Sequence, residues 1–260
     1  MSEHPIVTLT TDFGLSDSYV GAMKGVLLSC CPGVQIVDIT HEVPPQNVSI
    51  GAMRLAAAAR FFPEGSVHVA VVDPEVGGPR RDVAIACGGR FFVGPDNGVL
   101  SLAAPTTTDH WAAVELDPAE VGLPVVSSTF HGRDVFAPVA ARLACGTPLL
   151  NLGKAIGEIV ELALPEPQRV EGRIEGEVID VDRFGNLLTN VREVHLGGSA
   201  VAGVRLKGHS LPGLVDWYLP GRPLVALVNS EGWVEIAAPH GSAALQLDAG
   251  IGTPVEVRLA

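Results

Sequence analysis

Three aspartates follow apolar runs, at points where predicted strands end. Asp12, Asp38 and Asp73 each come directly after four to six residues rich in β-branched and other apolar side chains. Runs of this kind indicate buried strands. In an open α/β sheet, the carboxyl ends of the strands border the ligand-binding crevice. The three carboxylates therefore predict a polar site at one edge of a sheet.

The loop after Asp73 can return a cation to that carboxylate. It reads DPEVGGPRR from Asp73 to Arg81, and its glycines and prolines bring Arg80 back within reach of Asp73. The pair could shape a site, or it could be a surface salt bridge, which is usually worth no more than about 1 kcal/mol. The spacing alone slightly favours the salt bridge.

A histidine stands at the entrance of a predicted helix, in the segment STFHGRD. His131 is followed by Gly132, which allows close approach of a ligand, and by Asp134, which could cap the helix. An isolated histidine is more often structural. Its position between polar residues at a helix entrance favours a functional role.

One further residue and two further segments each have both a structural and a functional interpretation. Asp17 could accept a hydrogen bond from a ligand ammonium, or it could cap the following helix. The segments DRFGN (182–186) and NSEGWVE (229–235) could be hairpin turns. The first also offers Phe184 to stack on a base and Asn186 to hydrogen-bond a purine edge.

Strand and helix signals alternate up to about residue 160. Helices are predicted over 18–30, 48–62 (with Asn47 as N-cap) and 134–145, and a hairpin crosses Gly88-Gly89. This alternation predicts an α/β fold, Rossmann-like, with a mostly parallel sheet and flanking helices. The N-terminal α/β domain is expected to span residues 1–163.

Two prolines within LPEPQ mark a boundary and predict a linker over residues 164–170. Short β-type runs dominate beyond it, at 173–181, 187–191, 224–229, 234–237 and 255–259. Helix signals are nearly absent there. The sequence therefore predicts a C-terminal all-β, barrel-like domain over residues 171–260.

Composition limits the class of protein. The chain has 260 residues, 47% of them hydrophobic, and a formal charge of −12 with no run of lysine or arginine. Nucleic-acid binding requires clustered cations, so no nucleic-acid partner is expected. No apolar stretch reaches the length of a membrane span, and the segment Met1–Pro5 lacks a signal-peptide pattern. We expect a cytoplasmic protein without a membrane partner.

The cysteines suggest neither a metal site nor a disulfide framework. Cys30 and Cys31 are adjacent, Cys87 and Cys145 are remote, and no pair has the spacing C-x-x-C. Zinc sites usually carry that kind of spacing. Buried free thiols and no bound metal are the expectation.

Eight segments together resemble one family, the S-adenosyl-L-methionine (SAM) hydroxide adenosyltransferases, which are relatives of the fluorinases and chlorinases. The segments appear in the family's order from residue 6 to about 245: TDFG, VGAMKG, DITHEVPP, VDPEVGGPRR, GPDNG, TFHGRD, DRFGNLLTN and NSEGWVEIA. The resemblance implies hydrolysis of SAM to adenosine and L-methionine, by in-line attack of an activated water or hydroxide on C5′. It implies no cofactor, and a homotrimer whose active sites lie at subunit interfaces.

The resemblance also implies roles for residues at matching positions. Asp73, Arg80 and His131 fall on the Asp–Arg–His set that holds the attacking water. The remaining matches are substrate-binding positions. Asp12 matches the acid that binds the ribose, and Gln46 stands where halogenases carry an aromatic near the ribose. Asp17 and Ser230 match positions that hold the amino and carboxylate groups of methionine, and Asp182, Phe184 and Asn186 match the group that contacts the same end of methionine and the adenine.

Two other functions stay open at this stage. A non-catalytic adenosine- or SAM-binding module would keep the substrate contacts without using Asp73, Arg80 and His131. A SAM-dependent 5′-halogenase is disfavoured, because halogenases replace the Asp73 position and a carboxylate there would repel a halide. The sequence also leaves open whether Trp217 or Tyr218 contacts adenine, and what Glu75 does where the family usually has Gly.

Overall fold

The computed structural model of the chain describes residues 5–260, and residues 1–4, which entered the signal-peptide prediction, lie outside that range. The chain divides into two compact units. The first ends at Leu162 and the second spans Ala163–Ala260.

The first unit is built on a seven-stranded sheet with the order β2-β1-β3-β5-β4-β6-β7. The pairs β1–β2, β1–β3 and β3–β5 are parallel, whereas β4–β5, β4–β6 and β6–β7 are antiparallel. The predicted α/β class is confirmed, with a parallel half and an antiparallel half. The strands are β1 (Ile6–Thr11), β2 (Gln35–Thr40), β3 (Val67–Val71), β4 (Asp82–Cys87), β5 (Arg90–Pro95), β6 (Trp111–Leu116) and β7 (Lys154–Ile156).

Helices cover both faces of this sheet. Successive residues of a strand point to opposite faces, so Val69 and Val71 pack with α1 and α4, while Ala70 and Val72 pack with α2. The Asn47 side chain caps α2 as predicted, accepting a hydrogen bond from Ile50 N at 3.0 Å. The helices are α1 (Tyr19–Cys30), α2 (Val48–Ala59), α3 (Pro118–Val121) and α4 (Ala137–Ala144).

The carboxyl ends of β1 and β3 lie side by side, because Thr11 pairs with Val71 in the parallel register. Asp12 and Asp73 therefore leave the same edge of the sheet, as the sequence predicts. Asp38 does not. Strand β2 continues to Thr40, since Ile39 and Thr40 are β-branched and favour extended backbone, and Asp38 pairs instead with Lys24 at 2.6 Å.

The expectation of free thiols is wrong for two of the four cysteines. Cys31 and Cys145 form a disulfide with their Cα atoms 6.2 Å apart. The two residues directly follow α1 and α4, which pack against each other. Their separation of 114 positions along the chain hides this proximity in the sequence. Cys30 and Cys87 are free.

The second unit is an antiparallel, barrel-like sheet around one apolar cluster that includes Val178, Leu187, Val234 and Val257. The strand order is β12-β11-β15-β9-β10-β14-β13, and β8 pairs with β9. The strands are β8 (Gln168–Val170), β9 (Arg173–Val181), β10 (Leu187–Arg192), β11 (Val201–Leu206), β12 (His209–Leu211), β13 (Val225–Val228), β14 (Trp233–Ala237) and β15 (Pro254–Leu259).

Three features of this unit were not predicted. Strand β8 lies inside the segment expected to be a linker, 164–170, and the hairpin of β11 and β12 gave no strand signal. Two one-turn helices also occur, α5 (Glu193–Leu196) and α6 (Ala243–Leu247). The strands β8 and β12 and the two one-turn helices carry too few residues to show a periodic pattern.

None of the helices described within residues 5–260 has the length and apolar character that crossing a bilayer requires.

Candidate active site

A cavity of about 690 Å³ opens at the edge where β1 and β3 end. Segments from five parts of the first unit line it: the loop after β1, the first residue of α1, the loop before α2, the end of β3 with the loop after it, and the segment before α4. Polar residues in this lining include Asp12, Gln46, Asp73, Thr129 and His131. The cavity therefore collects four of the residues that the sequence singled out.

Arg80 and Asp73 form a bidentate ion pair beside the cavity. Arg80 Nε donates to Asp73 Oδ1 at 3.1 Å, and Arg80 Nη2 donates to Asp73 Oδ2 at 2.5 Å. Both side chains are only 4% exposed. The alternative of a surface salt bridge therefore does not hold, because water is largely excluded from the pair.

The loop that carries Arg80 packs against the segment before His131. Gly77 has a φ of +75°, and a Cβ atom at that position would come within 2.1 Å of the carbonyl oxygen of Ser128. Only glycine accommodates both the backbone conformation and this contact. The glycines of this loop thus bring Arg80 and His131 together.

Asp82 is a member of the cluster that the sequence analysis missed. It begins β4, and its carboxylate accepts a hydrogen bond from Arg80 Nη1. Its oxygens also lie 3.0 and 3.2 Å from His131 Nδ1. An acid at the start of a strand gives no functional signal in the sequence. The only hint is its place two residues after Arg80.

The electrostatics of the cluster reflect burial and pairing. Burial alone would lower the pKa of the Arg80 guanidinium, but hydrogen bonds and charge from Asp73 and Asp82 outweigh it and raise that pKa. Burial raises the pKa of Asp82, although Arg80 and His131 oppose the increase. Perturbed titratable groups next to a cavity are typical of functional sites.

His131 is 9% exposed and stands where the chain enters a stretch of wide, π-type helical turns over Gly132–Phe136. Its Nδ1 lies 3.1 Å from Arg80 Nη2 as well as near Asp82. The structure therefore brings Asp73, Arg80 and His131 together from segments up to 58 residues apart.

Asp12 is tied to the segment that begins α2. Its Oδ2 accepts a hydrogen bond from Gln46 N at 2.8 Å. Gln46 adopts a φ of +65°, which is uncommon for a residue with a side chain. Strain of this kind is often found at ligand sites. The second oxygen of Asp12, Oδ1, can face a ligand.

Aromatic rings form one wall of the cavity, a feature the sequence analysis did not predict. Phe13, Tyr19 and Phe130 contact one another with ring centroids 5.3 to 5.8 Å apart. All three line the cavity. Apolar rings and carboxylates in the lining of one cavity suit a ligand with one apolar side and one polar side.

Asp17 is exposed in the loop between β1 and α1, and it is not among the described residues that line the cavity. The structure thus brings Asp12, Gln46, Asp73 and His131 to the cavity. Arg80 contacts Asp73 and His131.

In the second unit, the predicted residues at 182–186 form a tight turn. Asp182 Oδ1 accepts from Phe184 N and Asn186 N, and Asp182 Oδ2 accepts from Asn186 Nδ2 at 2.9 Å. The turn leaves the Phe184 ring 77% exposed. Asp182 therefore fixes the turn that presents Phe184 and orients the Asn186 amide.

A buried carboxylate lies close to that turn. Glu235 accepts hydrogen bonds from Tyr218 Oη at 2.9 Å and from Asn229 Nδ2 at 3.2 Å. Burial, the hydrogen bond to Glu235 and the charges of Glu235 and Asp182 raise the pKa of Tyr218 to about 12. Trp217 is 57% exposed. The Tyr218 hydroxyl is therefore engaged within the unit, while the Trp217 ring faces outward.

Ser230, the last of the predicted binding residues, lies exposed in the turn between β13 and β14. No group of three or more His, Cys, Asp or Glu side chains within residues 5–260 is arranged to hold a metal ion.

Two family models match this chain. The model described as SAM hydroxide adenosyltransferase N-terminal domain matches residues 7–153, and that described as SAM hydroxide adenosyltransferase C-terminal domain matches residues 176–256. Together they cover most of the chain.

Curated proteins named (R)-S-adenosyl-L-methionine hydrolase are similar to it. The one from Salinispora arenicola is 47% identical over 72% of each chain. The one from Thermus thermophilus is 40% identical, over 96% of this chain and 98% of that protein. A fluorinase from Actinoplanes is more distant, at 30% identity over 90% of this chain and 91% of its own.

A solved structure has the same fold. The crystal structure of an uncharacterized conserved protein from Thermotoga maritima superposes with a TM-score of 0.88 at 34% identity, covering 97% of this chain and 99% of that chain.

Proposed function

The chain belongs to the SAM hydroxide adenosyltransferase family, and we propose that it hydrolyses S-adenosyl-L-methionine to adenosine and L-methionine. Relatives named as SAM hydrolases match it at 40 to 47% identity, whereas the fluorinase is more distant. The observation that carries the proposal is the buried cluster of Asp73, Arg80 and His131 beside a cavity that also contains Asp12.

The reaction breaks the bond between C5′ and the sulfonium sulfur. The leaving group is a neutral thioether, so it needs no acid to protonate it. The nucleophile is the obstacle, because water is a weak nucleophile and its pKa of about 15.7 makes hydroxide scarce. The site therefore has to orient a water molecule and accept its proton.

Arg80, Asp73 and His131 divide these tasks. The guanidinium of Arg80 stays protonated and can stabilise hydroxide character by its charge. The carboxylate and the imidazole can orient the water in line with sulfur and take up its proton. Opposite charges are lost as oxygen bonds to C5′, so a site that excludes water speeds the step.

The cavity has groups suited to holding the adenosyl part of the substrate. Asp12 Oδ1 is available to accept hydrogen bonds from the ribose hydroxyls, and Gln46 lies beside it. In the second unit, the exposed Phe184 ring can stack on adenine and Asn186 can hydrogen-bond a base edge. Asp17 and Ser230 would hold the amino and carboxylate groups of methionine.

Assembly as a homotrimer is part of the proposal. In it, the first unit of one chain and the second unit of a neighbouring chain would share each substrate. The exposure of Phe184 and Trp217 supports this, since exposed aromatic rings are enriched where proteins bind ligands and one another. No cofactor is part of the proposed reaction.

A cytoplasmic location also stays a prediction. Disulfides are rare in the cytoplasm of most organisms. The redox state of Cys31 and Cys145 in intact cells, measured by thiol trapping, therefore tests the location directly. A largely oxidised pair in cells of a mesophile would contradict it.

Incubation of the purified protein with SAM, followed by chromatography, tests the function. We expect equal amounts of adenosine and methionine, with the same products when chloride or fluoride is added. Formation of a 5′-halogenated adenosine would show a halogenase instead. Binding of SAM without any turnover would show a binding module.

A further inference from the structure

The charges around His131 do not cancel. Arg80 carries one positive charge, whereas Asp73 and Asp82 carry two negative charges when ionised, and none of the three side chains is more than 4% exposed. With a neutral imidazole, the cluster holds one unbalanced buried negative charge, which is costly. A proton on the imidazole balances the cluster. Without Asp82, a proton on the His131 imidazole would place a second cation beside Arg80, whose charge Asp73 already neutralises.

The contacts of Nδ1 define which nitrogen of His131 carries the hydrogen. Nδ1 lies 3.0 Å from Asp82 Oδ2 and 3.1 Å from Arg80 Nη2. A carboxylate can only accept and a guanidinium can only donate, so these partners favour opposite tautomers. Arg80 Nη2 already has an acceptor in Asp73, whereas a bare Nδ1 would point its lone pair at the Asp82 carboxylate. The geometry favours a hydrogen on Nδ1, donated to Asp82.

In that tautomer, Nε2 has no hydrogen and can accept one. His131 lines the cavity where the substrate would lie, and Nδ1 is turned toward Asp82. A neutral imidazole whose second nitrogen is fixed by a carboxylate is a suitable general base near neutral pH.

We propose that Asp82 is a positioning residue of the reaction, an inference that rests on the proposed hydrolysis of SAM. Asp82 holds His131 with hydrogen on Nδ1 and supplies the negative charge that lets Nε2 accept a proton from the attacking water. The water oxygen bonds to C5′, and the electron pair of the C5′–S bond passes to sulfur. The sulfonium becomes a neutral thioether as the proton reaches Nε2 and then solvent, so atoms and charge balance.

This assignment separates the role of His131 from that of Asp73. Both oxygens of Asp73 accept hydrogen bonds from Arg80. A carboxylate held in this way by a guanidinium is a poor proton acceptor. Asp73 and Arg80 therefore orient the water, and the pair of Asp82 and His131 takes its proton.

Charged groups reach His131 from several elements, and together they determine the charge of its surroundings. Asp73 and Arg80 approach from the loop after β3, and Asp82 from β4. Asp12 lines the same cavity from the end of β1, and Glu115 of β6 lines a smaller cavity of about 360 Å³ on the other side of the cluster. Asp134, on the same stretch as His131, is paired with Arg133.

The test is the substitution Asp82→Asn, which keeps the shape and removes the charge. We expect kcat to fall about 100-fold, as for loss of a general base's support, while KM and the Kd for SAM change little.

Asp96→Asn is the matched control. Asp96 is also a buried aspartate paired with an arginine, since Arg81 Nε donates to it at 2.8 Å. Within residues 5–260, no hydrogen bond or ion pair joins Asp96 to His131. We expect this variant to keep the wild-type kcat, KM and ring ¹⁵N shifts of His131. An unchanged kcat in Asp82→Asn would overturn the inference. So would an equal loss of kcat in both variants, or a loss of kcat accompanied by an equally large loss of SAM binding.

A second measurement does not depend on turnover. The ring ¹⁵N shifts of His131, assigned by comparison with His131→Gln, should show hydrogen on Nδ1 and a bare Nε2 in the wild type. That pattern should be lost or mixed in Asp82→Asn. Hydrogen on Nε2 in the wild type would overturn the role of Asp82. Absence of adenosine formation by a wild type with the expected tautomer would overturn the proposed function instead.

Discussion

At the scale of single residues, the site depends on four buried side chains that neutralise one another only in part. Asp73 lines the cavity, and both of its carboxylate oxygens accept hydrogen bonds from Arg80. Removing Arg80 would leave two buried carboxylates without a cation, which typically costs about 3–5 kcal/mol of stability. A substitution at Asp73 that keeps its shape is therefore the cleaner way to test the chemistry.

We expect Asp73→Asn to lower kcat for adenosine release about 100-fold or more, because the water loses its orienting carboxylate. Binding of SAM, measured by calorimetry, should stay within a few-fold of wild type. Glu75→Gln is the control, since Glu75 is exposed on the same loop. Retention of wild-type kcat by Asp73→Asn would contradict the role given to Asp73.

A second histidine should make stability depend on pH. His68 is fully buried, its Nδ1 lies 2.8 Å from Thr8 Oγ1, and it stacks on Phe92. Burial and, to a smaller extent, the charge of Arg90 lower its pKa from 6.5 to about 4. The unfolded chain binds this proton more readily, so the stability contribution of His68 is complete above pH 6.5 and falls as pH drops toward 4.

The measurement is urea unfolding of wild type and of the double variant Thr8→Val/His68→Phe between pH 4 and 7. We expect the wild type to lose on the order of 3 kcal/mol more than the variant across this window. The exposed His209→Gln is the control and should follow the wild type. Parallel curves for wild type and double variant would contradict a neutral buried His68.

The sequence predicted which residues gather at one sheet edge better than it predicted their contacts. The motifs around Asp12, Asp73 and His131 follow strand ends or open a helix, so their convergence could be expected from the topology of a parallel sheet. Asp82 could not be found in this way. It meets His131 across 49 positions of the chain, a contact that only the antiparallel return of β4 creates.

At the scale of elements, long apolar segments were predictable and short or irregular ones were not. The helix α2, with its Asn47 cap, and the hairpin of β4 and β5 match their sequence signals. The strands β8 and β12 have three residues each, too few for a pattern. The π-type turns before α4 also leave no signal, although they determine where His131 stands.

The disulfide is an element-scale feature with a measurable effect. Cys31 and Cys145 join the ends of α1 and α4, closing a loop across 114 residues. A crosslink over a loop of this size restricts the unfolded chain, so we expect reduction to lower the free energy of unfolding by about 2–4 kcal/mol. Denaturant unfolding with and without dithiothreitol measures the change.

The control for that experiment is the double variant Cys31→Ala/Cys145→Ala, which keeps the free Cys30 and Cys87. It should have the stability of the reduced wild type and should not respond to reductant. Identical wild-type stability in both conditions would mean that the bond contributes nothing.

At the scale of the whole molecule, the proposed trimer makes the two units of neighbouring chains depend on each other. Two inactive variants test this: Asp73→Asn in the first unit and Phe184→Ala with Asn186→Ala in the second. If each site draws on two chains, random mixed trimers should recover about a quarter of the wild-type activity, because a quarter of the sites pair two intact units.

Sedimentation of the wild type should give a mass of three chains of 27.0 kDa. The two variants have to be mixed by unfolding and refolding together, with each variant refolded alone as the control. If the mixtures form trimers but recover no activity, each substrate lies within one chain. That outcome would contradict the shared site.

The central claim is that water attacks C5′ of SAM, and its most direct test is a reaction in H₂¹⁸O followed by mass spectrometry of both products. The account predicts one ¹⁸O atom at the 5′ oxygen of adenosine and none in methionine. Unlabelled adenosine, or a label in an amino-acid product released together with methylthioadenosine, would contradict it.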